Sequence, residues 1–186
     1  MRLEDLNALD EDAAARAFLR CCGSSRWARK MAVQRPFASV DAMVHAADAI
    51  WSGLDRLDWL EAFAVHPKIG AGGAGGAAGV GEAGGAGGAG GADTAHWSAE
   101  EQAGVSAAAD ATRLGLAAAN REYEARFGYI FIVCATGKTA GAMLELLERR
   151  LRHDPDAEIR IAAEEQRTIT RLRLAKLVDE NEDTTR

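Results

Sequence analysis

Apolar positions recur every three or four residues along most of the chain, and that spacing predicts helices. Leu6 to Arg20 and Ser24 to Val33 are short helical segments by this pattern. Ser39 follows a Pro36-Phe37 turn and caps a third helix running to Trp51. Asp55 to Val65 carries Leu57, Leu60, Phe63 and Ala64 at helical spacing. Ser98 to Arg126 is long and alanine-rich, with the Phe127-Gly128 step as its stop. Thr139 to Arg152 puts Met143, Leu144, Leu147 and Leu151 on one face. Asp156 to Asp179 is a further long helix, entered after Pro155. Only YIFIVCA, Tyr129 to Ala135, is dense enough in β-branched and aromatic residues to read as extended. One such run makes no sheet, so the predicted fold is an all-α helical bundle with one short extended segment.

The pattern fails outright between Ala71 and Ala92, where 12 of 22 residues are glycine and eight are alanine. Such a run has no side chains with which to build a core, which predicts a flexible loop. Treated as a coil, it spans roughly 26 Å, so it can cross a site without forcing its ends apart. The plain alternative is an inert expansion with no role. With 186 residues, the expectation is one domain over residues 1–180, interrupted by the loop at 71–92 and followed by a polar tail at 181–186.

Composition narrows the function classes. The hydrophobic share of 48% is raised by alanine, and the net charge of −6 argues against nucleic acid as a partner. Cys21, Cys22 and Cys134 predict reduced thiols in a cytoplasmic protein. The opening MRLEDLNALDEDAAARAF is too acidic and too broken for a signal peptide. No run approaches the ~18 apolar residues of a membrane span.

Three polar features break the apolar pattern. The first is His66-Pro67 in VHPKIG. The residue before proline is pushed out of the α region, so the helix from Asp55 ends here with the imidazole on a stiff backbone. Histidine titrates near neutral pH and suits general acid–base work, where fixed geometry matters. The plain alternative is a helix-end histidine packed against its cap. The second is WSAEEQ, where Ser98 and Glu101 have capping-box spacing. The same spacing presents a carboxylate and the Gln102 amide at a helix N-terminus, beside N–H groups that favour an anion. The third is Arg173. Stepping 100° per residue from Ala162 puts Gln166 at about 40°, Ile169 at about 340°, Arg173 at about 20° and Leu177 at about 60°. Arg171 falls at about 180°, on the solvent face. A guanidinium in the middle of an apolar stripe needs a carboxylate. That partner is either a protein group such as Glu101 or a substrate held bidentately.

ATGKTAGAM after the extended run has the look of a phosphate-binding turn. The full signature requires glycine five residues before Gly137, and that position is Ile132. No βαβ alternation surrounds it, so nucleotide binding is disfavoured. His45, His66, His96 and His153 are scattered, with no zinc-like spacing, so no metal is expected.

Taken together and in order, the segments resemble the OHCU decarboxylase family. The resemblance is carried by CGSSRWARKMAVQRPFAS, DWLEAFAVHPKIG, WSAEEQ, NREYEARFGYIFIVCATGK and EIRIAAEEQRTITRLRLAKL. It runs from about Leu6 to Leu177, and the combination of HP-x-IG, S-x-x-EQ, FG-x-x-F and the late LRL arginine is far more specific than any one part. The resemblance implies an all-helical fold, commonly a homodimer, without cofactor. The implied reaction is decarboxylation of 2-oxo-4-hydroxy-4-carboxy-5-ureidoimidazoline (OHCU) to (S)-allantoin in urate breakdown. The family's catalytic histidine falls on His66, followed by Pro67, its serine, glutamate and glutamine on Ser98, Glu101 and Gln102, and its arginine on Arg173. Backbone groups of Tyr129, Ile130, Phe131, Ile132 and Val133 would meet polar atoms of the substrate. The glycine-alanine run is the departure from the family pattern. The rivals are a helical interaction module that has lost turnover, and a nucleotide binder using GKT. Retention of His66, Ser98, Glu101, Gln102 and Arg173 argues against the first, and Ile132 against the second.

Overall fold

The structure is a computed structural model, and it describes residues 1–68 and 110–179. The predicted loop at 71–92 and the predicted start of a helix at Ser98 lie outside the described residues. Within those residues every regular element is an α-helix, in agreement with the all-α prediction. The chain divides into two compact units.

The first unit comprises Met1–His66, Ile132–Cys134 and the chain from Asp154 onward. It holds α1 (Leu3–Ala8), α2 (Glu11–Cys22), α3 (Ser25–Val33), α4 (Val40–Ser52), α5 (Arg56–Ala64) and α8 (Pro155–Asp179). The single helix expected over Leu6–Arg20 is in fact two. Asp10 breaks it by accepting the Ala13 N–H at 2.7 Å, which makes it the N-cap of α2. Ser24, Ser39 and Asp55 cap α3, α4 and α5 in the same way. Each such cap is worth about 1 kcal/mol. Asp58 completes a capping box with Asp55 and takes an ion pair from Arg26 at 3.0 Å.

The core of this unit forms where the apolar faces of α2, α3, α4, α5 and α8 meet. Phe18, Trp27, Met31, Met43 and Phe63 are completely buried there. Two of its tryptophans have their polar edges satisfied: Trp27 Nε1 donates to the Ala47 carbonyl and Trp51 Nε1 to the Ala163 carbonyl, both at 3.0 Å, whereas Trp59 Nε1 is buried without a partner. Arg35 gathers the carbonyls of Leu6, Leu9 and Ala32, which closes the ends of α1 and α3.

One glycine fixes how α2 meets α5. Gly23 ends α2 with φ of +86°, and its N–H donates to the Leu19 carbonyl at 2.8 Å. A Cβ at this position would lie 2.4 Å from Val65 Cγ2 and 3.2 Å from the Ala62 carbonyl oxygen. Glycine is therefore required twice, for the left-handed backbone and for the close approach of the last turn of α5.

The second unit comprises Pro67–Phe131 and Ala135–His153, and its described helices are α6 (Asp110–Phe127) and α7 (Ala140–Arg150). Gly128 stops α6 as expected, with φ of +80° and its N–H on the Glu124 carbonyl at 2.9 Å. Tyr123, Phe127, Tyr129 and Phe131 form an aromatic cluster with centroids 4.6 to 6.2 Å apart. The Arg150 guanidinium lies over it, 4.7 Å from the Phe131 centroid. The segment after Gly128 is not helical and joins no strand among the described residues. In the GKT turn, Thr139 Oγ1 accepts the Ala142 N–H and caps α7, so its hydroxyl serves the helix.

Candidate functional site

Three of the polar residues singled out in the sequence, or on its apolar stripe, come together in the first unit. α5 ends at Ala64, Val65 is its C-cap, and the His66 N–H closes the turn on the Phe63 carbonyl at 3.2 Å. The imidazole is thus fixed at the helix terminus, as the His66-Pro67 step predicted. Part of the residue remains accessible, but Nε2 is shielded and has no hydrogen-bond partner. Arg173, on α8, is completely buried, in accord with its place in the apolar stripe. Arg171 projects from the opposite face, is exposed, and pairs with Asp48 of α4 through Nε at 3.0 Å.

The electrostatics of His66 follow from these neighbours. Burial disfavours the imidazolium first, and the positive charge of Arg173 disfavours it further, while the Gln166 side chain acts in the opposite direction. The net effect lowers the pKa to about 3, so the ring is neutral at pH 7. Cys22 shares this neighbourhood. Burial pushes its thiol up to about 12, so the thiol stays protonated at neutral pH. A neutral imidazole can accept a proton from a bound acid.

Gln166 is the polar residue whose role sequence reasoning missed. It lies two turns before Arg173 on the same face of α8 and is completely buried. Its Nε2 donates to the Cys22 carbonyl and to Thr170 Oγ1, both at 3.2 Å. The available signal was a glutamine at about 40° inside an apolar stripe, seven residues before the arginine.

The other candidate positions are distributed as follows. Ile132 and Val133 are buried in the first unit, and the adjacent Cys134 N–H donates to Glu165 Oε2 at 2.8 Å. In the second unit Pro67 is exposed and Ile130 half-buried. The side chains of Tyr129 and Phe131 are engaged in the aromatic cluster. Ser98, Glu101 and Gln102 lie outside the described residues. Among the described residues no group of three His, Cys, Asp or Glu side chains is placed to hold a metal ion. None of their helices is long and apolar enough to cross a membrane. A cavity of about 290 Å³ on α8 is lined by Arg160, Ile161, Glu164, Glu165 and Thr168, and includes neither His66 nor Arg173.

The sequence pattern of the OHCU decarboxylase family matches residues 7–175. The uric acid degradation bifunctional protein TTL of Arabidopsis thaliana is 39% identical over 158 residues, which is 84% of this chain. The chain spans 45% of that protein's length. The 2-oxo-4-hydroxy-4-carboxy-5-ureidoimidazoline decarboxylase of Haloferax volcanii is 28% identical over 177 residues, 95% of each chain. Among solved structures, an OHCU decarboxylase crystallised in the presence of (S)-allantoin superposes with a TM-score of 0.71 at 32% identity. That alignment covers 88% of this chain and 98% of the other.

Proposed function

Since the chain belongs to the OHCU decarboxylase family, we propose that it converts OHCU to (S)-allantoin in urate breakdown, without a cofactor. The observation that carries the reading is a neutral, sterically fixed His66 close to the buried Arg173. The chemistry is legible in the substrate. One ring carbon bears both a hydroxyl and a carboxylate, and its neighbour is an imine carbon bearing the ureido group. When carbon dioxide leaves, the bonding pair moves between the two ring carbons and the imine pair moves to nitrogen. The hydroxyl then gives up its proton and becomes the carbonyl of allantoin, the neighbouring carbon gains a proton, and the ring nitrogen takes up one from solvent. The electron sink is internal to the ring. The protein must orient the carboxylate, stabilise the developing charge and deliver a proton to one face.

His66 takes the hydroxyl proton in this scheme, with Glu101 as its acid–base partner for the proton delivered to carbon. A pKa of about 3 makes a weak base in the free protein. Substrate anion beside the ring raises it, because negative charge favours the imidazolium. Arg173 clamps the carboxylate or a nearby anionic oxygen. Tight binding of the departing group stabilises the ground state too, so its benefit is mainly orientation. Ser98 and Gln102 hold the polar edge of the ring, and Pro67 also meets the substrate. The backbone of Tyr129 to Val133 meets the ureido and ring polar atoms. The same reading takes residues 1–180 as one domain working as a cytoplasmic homodimer.

The test uses OHCU generated in situ from urate. The protein should accelerate its disappearance well above the spontaneous rate. His66→Ala and Glu101→Ala should each return the rate to background with helix content intact. Normal turnover in His66→Ala would remove the proposed base.

A further inference from the structure

Gln166 contributes two amide protons and one carbonyl oxygen to a fully buried position. Their directions follow from the partners. The Cys22 carbonyl can only accept. Thr170 Oγ1 directs its own proton to the Gln166 main-chain carbonyl at 2.9 Å, so toward the Gln166 side chain it can only accept as well. Both side-chain contacts, at 3.2 Å, therefore require the NH₂ end of the amide. A flipped amide would set oxygen against two acceptors. The orientation is fixed by chemistry rather than by assignment, and Oε1 is left buried with no partner of its own. The neighbourhood it enters is that of His66. The carbonyl that anchors Gln166 belongs to Cys22, and the next residue, Gly23, abuts Val65 and Ala62 at the end of α5. Among the described residues, His66 Nε2 is likewise a buried polar atom without a partner.

We infer that Gln166 is a positioning residue for His66: its Oε1, aimed by Cys22 and Thr170, accepts the proton of the facing imidazole nitrogen and leaves the other nitrogen as the free base. An amide oxygen cannot donate, so it selects one neutral tautomer. A carboxylate at this position would also select the tautomer, but would draw a second proton onto the ring. Glutamine supplies the acceptor without the charge. Among the described residues, Arg173 on α8 is the charged group that acts on the ring; Cys22 on α2, whose carbonyl anchors Gln166, is itself acted on by Arg173 and by Glu61 on α5. Arg173 is cationic and the Cys22 thiol stays neutral, while Glu61 accepts from the Ser25 hydroxyl and N–H. None of these supplies the neutral acceptor that Gln166 does.

The inference rests on His66 as the proton-transfer group, and the test separates the two claims. Long-range ¹H–¹⁵N NMR of the full chain reads the His66 tautomer without reference to activity. The wild-type ring should show one protonated and one free nitrogen at pH 7. Gln166→Met should give a mixture of tautomers and lower kcat at least tenfold, with KM changed less than threefold. Gln166→Glu should keep the tautomer and move the His66 titration upward by more than one pH unit, an effect that a packing role does not produce. A mixed tautomer in the wild type would overturn the inference, as would a Gln166→Glu ring that titrates where the wild-type ring does. If the tautomer responds as expected but His66→Ala remains active, positioning stands and the proposed catalytic role fails.

Discussion

The depressed pKa of His66 has a consequence for stability that does not depend on the substrate. A free histidine titrates near 6.5, whereas His66 in the folded protein is lowered to about 3. Between these values the unfolded chain binds a proton that the folded chain refuses. Stability therefore rises with pH across this window and is lost as pH falls from about 6.5 toward 3. From pH 7 to pH 5 the unfolded-state protonation of one such group amounts to about 2 kcal/mol, provided the folded ring stays neutral throughout. The assay is urea unfolding of the wild type and of His66→Gln at both pH values. His45, His96 and His153 are common to both proteins and cancel. The wild type should lose about 2 kcal/mol more than the variant on going to pH 5. Equal losses would mean that the imidazole is not held neutral, and the electrostatic description of the site would be wrong.

Other perturbations test separate parts of the account. Gly23→Ala combines a left-handed backbone with a Cβ driven into Val65 and Ala62, so it should cost about 2–4 kcal/mol by chemical denaturation; a loss near zero would show that the end of α5 can move aside. Arg173→Lys should lower kcat/KM sharply although charge is kept, because an ammonium does not replace a bidentate fork; full activity would make Arg173 purely structural. Deletion of most of Ala71–Ala92 should leave the melting temperature nearly unchanged, since little core is removed and loop-closure entropy varies slowly with length. A large fall would show that the run is packed.

Much of this architecture can be read locally. Ser39 and Asp55 announce their helices because a cap is a contact between residues two or three apart. The His66-Pro67 step fixes the end of α5 through backbone sterics alone. The burial of Arg173 follows from counting around α8, since an apolar stripe carries inward whatever residue lies on it. Less accessible was the break at Asp10, where a cap sits inside an otherwise continuous apolar period. YIFIVCA has strand composition but no neighbouring strand among the described residues, because composition reports burial and stiffness rather than pairing. The role of Gln166 depends on Cys22, 144 residues away in sequence, and local pattern holds no record of such a contact. Arg171 was rightly placed toward solvent, yet its pairing with Asp48 of α4 is equally non-local.

The central claim is that His66 serves one-sided proton transfer during loss of carbon dioxide. OHCU also decays spontaneously, and that route gives racemic allantoin. The direct measurement is the circular dichroism of allantoin formed from fresh OHCU, with the wild type and with His66→Ala. The (S)-allantoin signal should grow rapidly with the wild type, and only the optically silent background should appear with the variant. Racemic product at the background rate with the wild type, or an undiminished (S) signal with His66→Ala, would contradict it.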